Sequence, residues 1–257
     1  MTFKKLAYVF AIIFTAALNL EAQDYSDPAG EGEVIVERMR VNTDNYKIRR
    51  NRFGVHFAAN FENFNPKNYL SLIQNKNYEE LLGNKSIPLY GIELGARFNY
   101  QLGSITGLIG YAQGYLSDDK LGIDKMSATI TKADLIFAFD NIMNEPYVVP
   151  FIQVGIHSID WTEQGTVLSI TKKENFTTEF SNFHYKAGLS FQLNWIENSI
   201  DPSSQDDALR SSGLENTFID VFYTSYTQSL EVAQVAGASG DADISSSEIG
   251  AGLRLEF

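Results

Sequence analysis

The residues best placed to do chemistry in this chain are ionisable ones spaced two, or a multiple of two, positions apart: Glu93 and Arg97, Lys132 and Asp134, Lys186, then Glu248, Arg254 and Glu256. On a β-strand such spacing puts them on one face. Opposed charges gathered into a narrow space must pair, because an unpaired charge away from water is costly. They would then form a salt-bridge plug, or a gate if they can rearrange to pass ions, and both readings need the same residues. The three histidines, His56, His157 and His184, are far apart, with neither a His-x-His nor a His-Glu-x-x-His spacing, so no shared metal is expected. His157-Ser158 is the one adjacent base and nucleophile, but strand neighbours point to opposite faces. Asp118-Asp119 and Asp241-x-Asp243 could serve acid–base work or bind calcium weakly, although acidic loops of this kind are usually just solvated. No cofactor and no enzyme are expected. Hydrolysis of lipid or peptide is the least implausible enzymatic alternative.

The elements that would position these residues alternate with period two. Phe53, Val55, Phe57, Ala59 and Phe61 oppose Gly54, His56, Ala58 and Asn60 in a first strand, about Arg52 to Phe61. In a second, about Leu89 to Gln101, Tyr90, Ile92, Leu94, Ala96, Phe98 and Tyr100 oppose Gly91, Glu93, Gly95, Arg97 and Asn99. The third, about Ile105 to Leu116, leaves its register open between Leu108 with Leu116 and Ile109 with Tyr111 and Tyr115. The fourth, about Ser127 to Asp140, sets Leu135, Phe137 and Phe139 against Lys132 and Asp134. The fifth, about Tyr147 to Ile159, sets Ile152, Val154 and Ile156 against Phe151, Gln153 and His157, with Pro150 tolerable at a rim. The sixth sets Phe183, Tyr185, Ala187, Leu189, Phe191, Leu193 and Trp195 against His184, Lys186, Gly188, Ser190, Gln192 and Asn194. The seventh, about Thr217 to Leu230, is open between Phe218 with Phe222 and Tyr226, and Ile219 with Val221 and Tyr223. In the eighth Ile249, Ala251, Leu253, Leu255 and Phe257 oppose Glu248, Gly250, Gly252, Arg254 and Glu256. Charges on the hidden face argue against a soluble sandwich, the main alternative fold, where they would lie in apolar packing.

The start of the chain reads as an export signal. Lys4 and Lys5 precede an apolar run from Leu6 to Leu20, and Leu20-Glu21-Ala22-Gln23 offers a cleavage site before Asp24. That divides the chain into a signal (1–23), a polar lead-in (24–51) and a barrel (52–257). The chain carries −12; losing Lys4, Lys5 and Glu21 removes a net +1, leaving about −13, which argues against nucleic acid as a partner. There is no cysteine, hence no disulfide and no lipidated thiol.

Connection lengths support an alternation of sides. Glu62 to Pro88 and Asp160 to Asn182 are long, while the turns near Gly103 and Asn144 are short. Ile196 to Asn216 is long on the short-turn side, so ten strands remain an alternative to eight.

The export signal, the alternating strands and the ending Leu253-Arg254-Leu255-Glu256-Phe257 together resemble the small outer-membrane barrels of the OmpA/OmpX type. The resemblance is to an architecture and carries no catalytic residues. It implies an all-β, antiparallel, up-and-down transmembrane barrel in the outer membrane of a Gram-negative-type bacterium, among lipid and lipopolysaccharide. It also implies that Leu253, Leu255 and Phe257 form a signal read by the outer-membrane assembly machinery. Tyr90, Tyr100, Tyr185 and Trp195, with Tyr111, Tyr115 and Tyr223, are expected to anchor it at the two membrane interfaces. The expected role is structural or adhesion-like, with the two long loops offered to a surface, host or neighbouring protein. A passive channel for ions or small solutes is the alternative.

Overall fold

The computed structural model describes residues 50–71, 73, 74, 76–118, 123–143, 145–167, 172–193, 214–228 and 243–257. The export signal, nearly all of the lead-in, Trp195, Asp119, Asp241 and most of the 196–216 connection lie outside the described residues. Eight strands follow in chain order: β1 (Phe53–Phe64), β2 (Ile87–Asn99), β3 (Ser104–Asp118), β4 (Ile123–Ala138), β5 (Val148–Val167), β6 (Lys172–Gln192), β7 (Asn216–Tyr226) and β8 (Ser246–Glu256). Each pairs antiparallel with its sequence neighbour, and β1 pairs with β8, so the sheet closes on itself. That closure leaves no place in the wall for two further strands. The last residue finishes the ladder: Val55 N–H donates to the Phe257 carbonyl (2.6 Å), and Phe257 N–H to that of Val55 (2.9 Å).

Register fixes the barrel's geometry. From Glu62 the pairing passes through Gly250, Phe222, Gly188, Phe151, Ala138, Ser104 and Asn99, whose N–H reaches Arg52. The circuit returns ten residues from where it began, and such a stagger goes with strands tilted by roughly 35–45°.

The two strands of open register are settled by what fills the interior. Leu108 faces in, beside Ile136 and Phe151, and leaves Ile109, Tyr111 and Tyr115 outside. Phe218, Phe222 and Tyr226 also face in, while Ile219, Val221 and Tyr223 are exposed. The hairpin of β5 and β6 corrects the expected loop from Asp160 to Asn182. Most of that stretch is strand, with paired residues from Asp160↔Glu179 up to Val167↔Lys172. Outward positions there are polar, so the alternation continues with its apolar members inside.

The faces of the wall therefore exchange character along the axis. Through a belt bounded by Phe53, Phe98, Phe139 and Phe191 at one end and Phe61, Tyr90, Tyr111, Tyr185 and Tyr223 at the other, outward residues are apolar and exposed. Eight residues of strand at the tilt above make the belt about 20 Å tall, close to the roughly 25 Å apolar band of an outer-membrane barrel. Beyond it, Gln113, Thr131, Thr129, Ser158, Asp160, Glu179 and Ser181 face outward, and Met126, Ala128, Ile130, Ile159, Trp161 and Phe180 fill the inside.

Candidate functional site

Within the belt the interior holds paired charges. Arg97 on β2 donates to Glu256 on β8 and to Glu215, just before β7. Arg254 lies 3.5 Å from Asp220 and 3.8 Å from Glu256, its guanidinium 4.4 Å from the Phe218 ring centre. Lys186 Nζ meets Glu93 at 2.9 Å and sits 4.3 Å from the Phe222 ring centre. Lys132 Nζ donates to Glu62 at 2.8 Å, and the Tyr226 hydroxyl donates to the same carboxylate. These groups are nearly all buried, so each pair is held by neutralisation rather than by water.

Asp134 accepts from Gln153 Nε2 at 2.6 Å and lies 3.2 Å from His184 Nε2. The two strands carrying them are separated by β5, and the residue between them in register is Gly155. A Cβ there would lie inside the Asp134 carboxylate, only 2.7 Å from its Cγ, so glycine is what lets Asp134 and His184 meet. Gly155→Val is expected to lower the midpoint of the heat-driven gel-mobility shift by an amount corresponding to about 3 kcal/mol or more, from overpacking plus a lost polar contact. An unchanged midpoint would show that this contact does not form.

Of the predicted charges, Glu93, Arg97, Lys132, Asp134, Lys186, Arg254 and Glu256 face this interior. Glu248 stands apart, half-buried near the upper end of β8 and in none of these pairs. The sequence reading missed Glu62, Asp220 and Glu215. Extending the first strand by two residues continues His56, Ala58 and Asn60 to Glu62, so that partner was within reach. His157 and His184 come together, ring centres 5.4 Å apart, and both contact Tyr226. His56 is buried separately. Among the described residues no group of three or more candidate ligands is placed to hold a metal. Ser158 points outward to Glu179 (2.8 Å) while His157 is inside, so the two cannot act together.

Above the belt the interior becomes an apolar core, closed by the connection from 65 to 86. Of the connection expected to be offered to the surroundings, Glu62 to Pro88, the polar residues Lys67, Lys76, Glu79, Glu80 and Lys85 are exposed, while its described apolar residues are not. The segment folds inward, with Tyr69, Tyr78 and Leu82 packed on Phe64, Trp161, Phe180 and Tyr226. A short helix, α1 (Tyr78–Leu82), ends at Gly83, whose positive φ of 61° is a conformation that glycine, without a Cβ, adopts freely. The Tyr78 hydroxyl donates to the Lys85 carbonyl (3.0 Å), and burial pushes its pKa well above the ordinary value. Glu163 on β5 is buried and accepts from the hydroxyls of Tyr69 (3.0 Å) and Ser71, which fastens the segment to the wall.

One cavity lies among Asn60, Glu62, Glu93 and Lys132, another among His56, Gln153, Lys186, Asp220 and Arg254. Each has room for about one water molecule.

No family model matches the chain, and no curated protein matches it. Solved structures do resemble it. Neisserial surface protein A is 13% identical over 80% of this chain and 98% of that one, with a TM-score of 0.43. The N-terminal β-barrel domain of Pseudomonas aeruginosa OprF is 12% identical over 79% and 97%, at 0.41. Ail, the attachment invasion locus protein of Yersinia pestis, is 13% identical over 80% and 97%, at 0.41. The closed, eight-stranded, up-and-down antiparallel architecture rests on the register described above.

Proposed function

We propose that the chain is an integral outer-membrane barrel with a closed lumen, acting as a structural or surface-interacting protein through the part of its wall that stands above the bilayer. The observation that carries this reading is the exchange of faces along the strands. Apolar groups outside and paired charges inside suit hydrocarbon, whereas polar groups outside and an apolar core suit water. The tyrosines Tyr90, Tyr111, Tyr185 and Tyr223 sit where the change occurs and would lie at headgroup level; Tyr100 is at the opposite rim. Both ends of the barrel sequence emerge at that opposite rim, which on this reading faces the periplasm. Leu253, Leu255 and Phe257 occupy the outward positions of β8 beside them, accessible to an assembly factor before closure.

The interaction surface is wider than the loops. The outer face of β4, β5 and β6 beyond the belt, with Thr129, Asp160, Thr162, Thr177 and Glu179, joins the exposed polar positions of the connection 65–86 as the part offered to the surroundings. Thr162 and Thr177 lie side by side across the hairpin, their hydroxyls 3.3 Å apart.

Refolded protein, shown to be native by its mobility shift on boiling, is expected to be silent in a planar bilayer. Steady conductance altered by reversing the charge at Arg97 or Lys186 would overturn the closed lumen in favour of a channel.

A further inference from the structure

At the rim carrying both ends of the barrel sequence, two short turns present large apolar side chains: Leu102 in the β2–β3 turn, 62% exposed, and Ile142 and Met143 in the β4–β5 turn, 64% and 50% exposed. Tyr147 at the start of β5 is exposed beside them. Outward residues of the belt, Phe98, Phe137 and Phe139, lead straight down to these turns. Elsewhere on the same rim, among the described residues, Asn51 and Arg52 stand beside the end of β2, and Glu215 and Thr217 lie at the start of β7.

The carbonyls of Tyr100, Gln101 and Gly103 in the β2–β3 turn are satisfied from within the protein. Arg50 donates to the carbonyls of Tyr100 (2.8 Å) and Gly103 (2.7 Å) and to Asp140 (2.8 Å). Ser104 Oγ also donates to Asp140, at 2.9 Å. Asn141 Nδ2 donates to the Gln101 carbonyl at 2.8 Å, tying one turn to the other. The Tyr100 N–H closes its own turn on the Gly103 carbonyl at 2.9 Å. A turn standing in water would need none of this, since water would serve the same carbonyls. A turn entering a poorly hydrated layer needs it, because unsatisfied backbone groups are costly there.

We infer that the β2–β3 and β4–β5 turns are lipid anchors: Leu102, Ile142 and Met143 enter the phospholipid headgroup and upper acyl region of the leaflet at this rim. The inference rests on the membrane reading proposed above.

The absence of cysteine makes a direct test available. Leu102→Cys, Ile142→Cys, Leu135→Cys in mid-belt and Asn51→Cys at a polar position of the same rim are each labelled with a nitroxide in phospholipid vesicles. Collision with oxygen is then compared with collision with a water-soluble nickel complex. The oxygen-to-nickel ratio at 102 and 142 is expected to exceed that at 51 by about threefold or more and to approach that at 135. Ratios at 102 and 142 equal to that at 51, with 135 still lipid-like, would overturn the anchors and leave the turns facing water or a periplasmic protein. A water-like ratio at 135 as well would overturn the membrane reading itself.

Discussion

Trypsin is expected to cut the Trp161→Ala protein between β1 and β2 about a hundredfold faster than the parent, at Lys67, Lys76 and Lys85. All three lysines are exposed, so access to them is limited by the rigidity of the segment and not by cover. That rigidity comes from Trp161, which is 1% exposed and packs against Tyr69 (ring centres 4.9 Å) and Phe64 (6.2 Å). Truncating a buried tryptophan to alanine costs about 3–5 kcal/mol where the cavity cannot collapse. When opening and closing outpace cleavage, the rate of cutting follows the open population, which rises about tenfold for each 1.4 kcal/mol. Trp161→Phe should fall between the two. Because the belt below is untouched, the variant should still insert and still run as a folded barrel before boiling. Equal cleavage of variant and parent would mean that the Glu163 hydrogen bonds, rather than the aromatic core, hold the segment.

Lys186→Met is expected to destabilise the barrel by about 3–5 kcal/mol, read as a lower midpoint of the mobility shift, because it leaves the buried Glu93 carboxylate without its 2.9 Å partner. The double variant Glu93→Gln with Lys186→Met should recover most of that loss. It removes both charges and keeps the volume, and a neutral pair of similar shape in a buried site is often no worse than an ion pair. Single and double variants of equal stability would show that Lys186 acts through its contact with Phe222 and not through the charge of Glu93.

The alternation of β1, β2, β4, β6 and β8 was legible in the sequence because a pattern of period two survives wherever one face meets lipid and the other meets charge. β3 and β7 were ambiguous for a physical reason. Leu108, Phe218 and Phe222 are apolar residues facing inward, stacked under Arg254 and Lys186 or packed against Ile136 and Phe151, so both faces of these strands carry hydrophobic groups. Polarity alone cannot choose between them. The upper halves of β5 and β6 were read as loop because Thr162, Gln164, Asn175 and Thr177 look like loop residues, whereas they are the wetted face of a strand whose other face is Trp161 and Phe180. The inward fold of 65–86 was hidden altogether: the contacts of Tyr69 and Ser71 with Glu163 span more than 90 residues, and no local signal announces them.

The exchange of faces also sets what each strand can tolerate by substitution. On β4 the outward positions Leu135 and Thr129 are six residues apart, on the same side of the same strand. At the first, a lysine would meet hydrocarbon and cost about 2–4 kcal/mol; at the second it would meet water and cost next to nothing. A leucine would be unremarked at the first and sticky at the second. One strand thus obeys two opposed substitution rules, and the ring of tyrosines marks the height at which the rule changes sign.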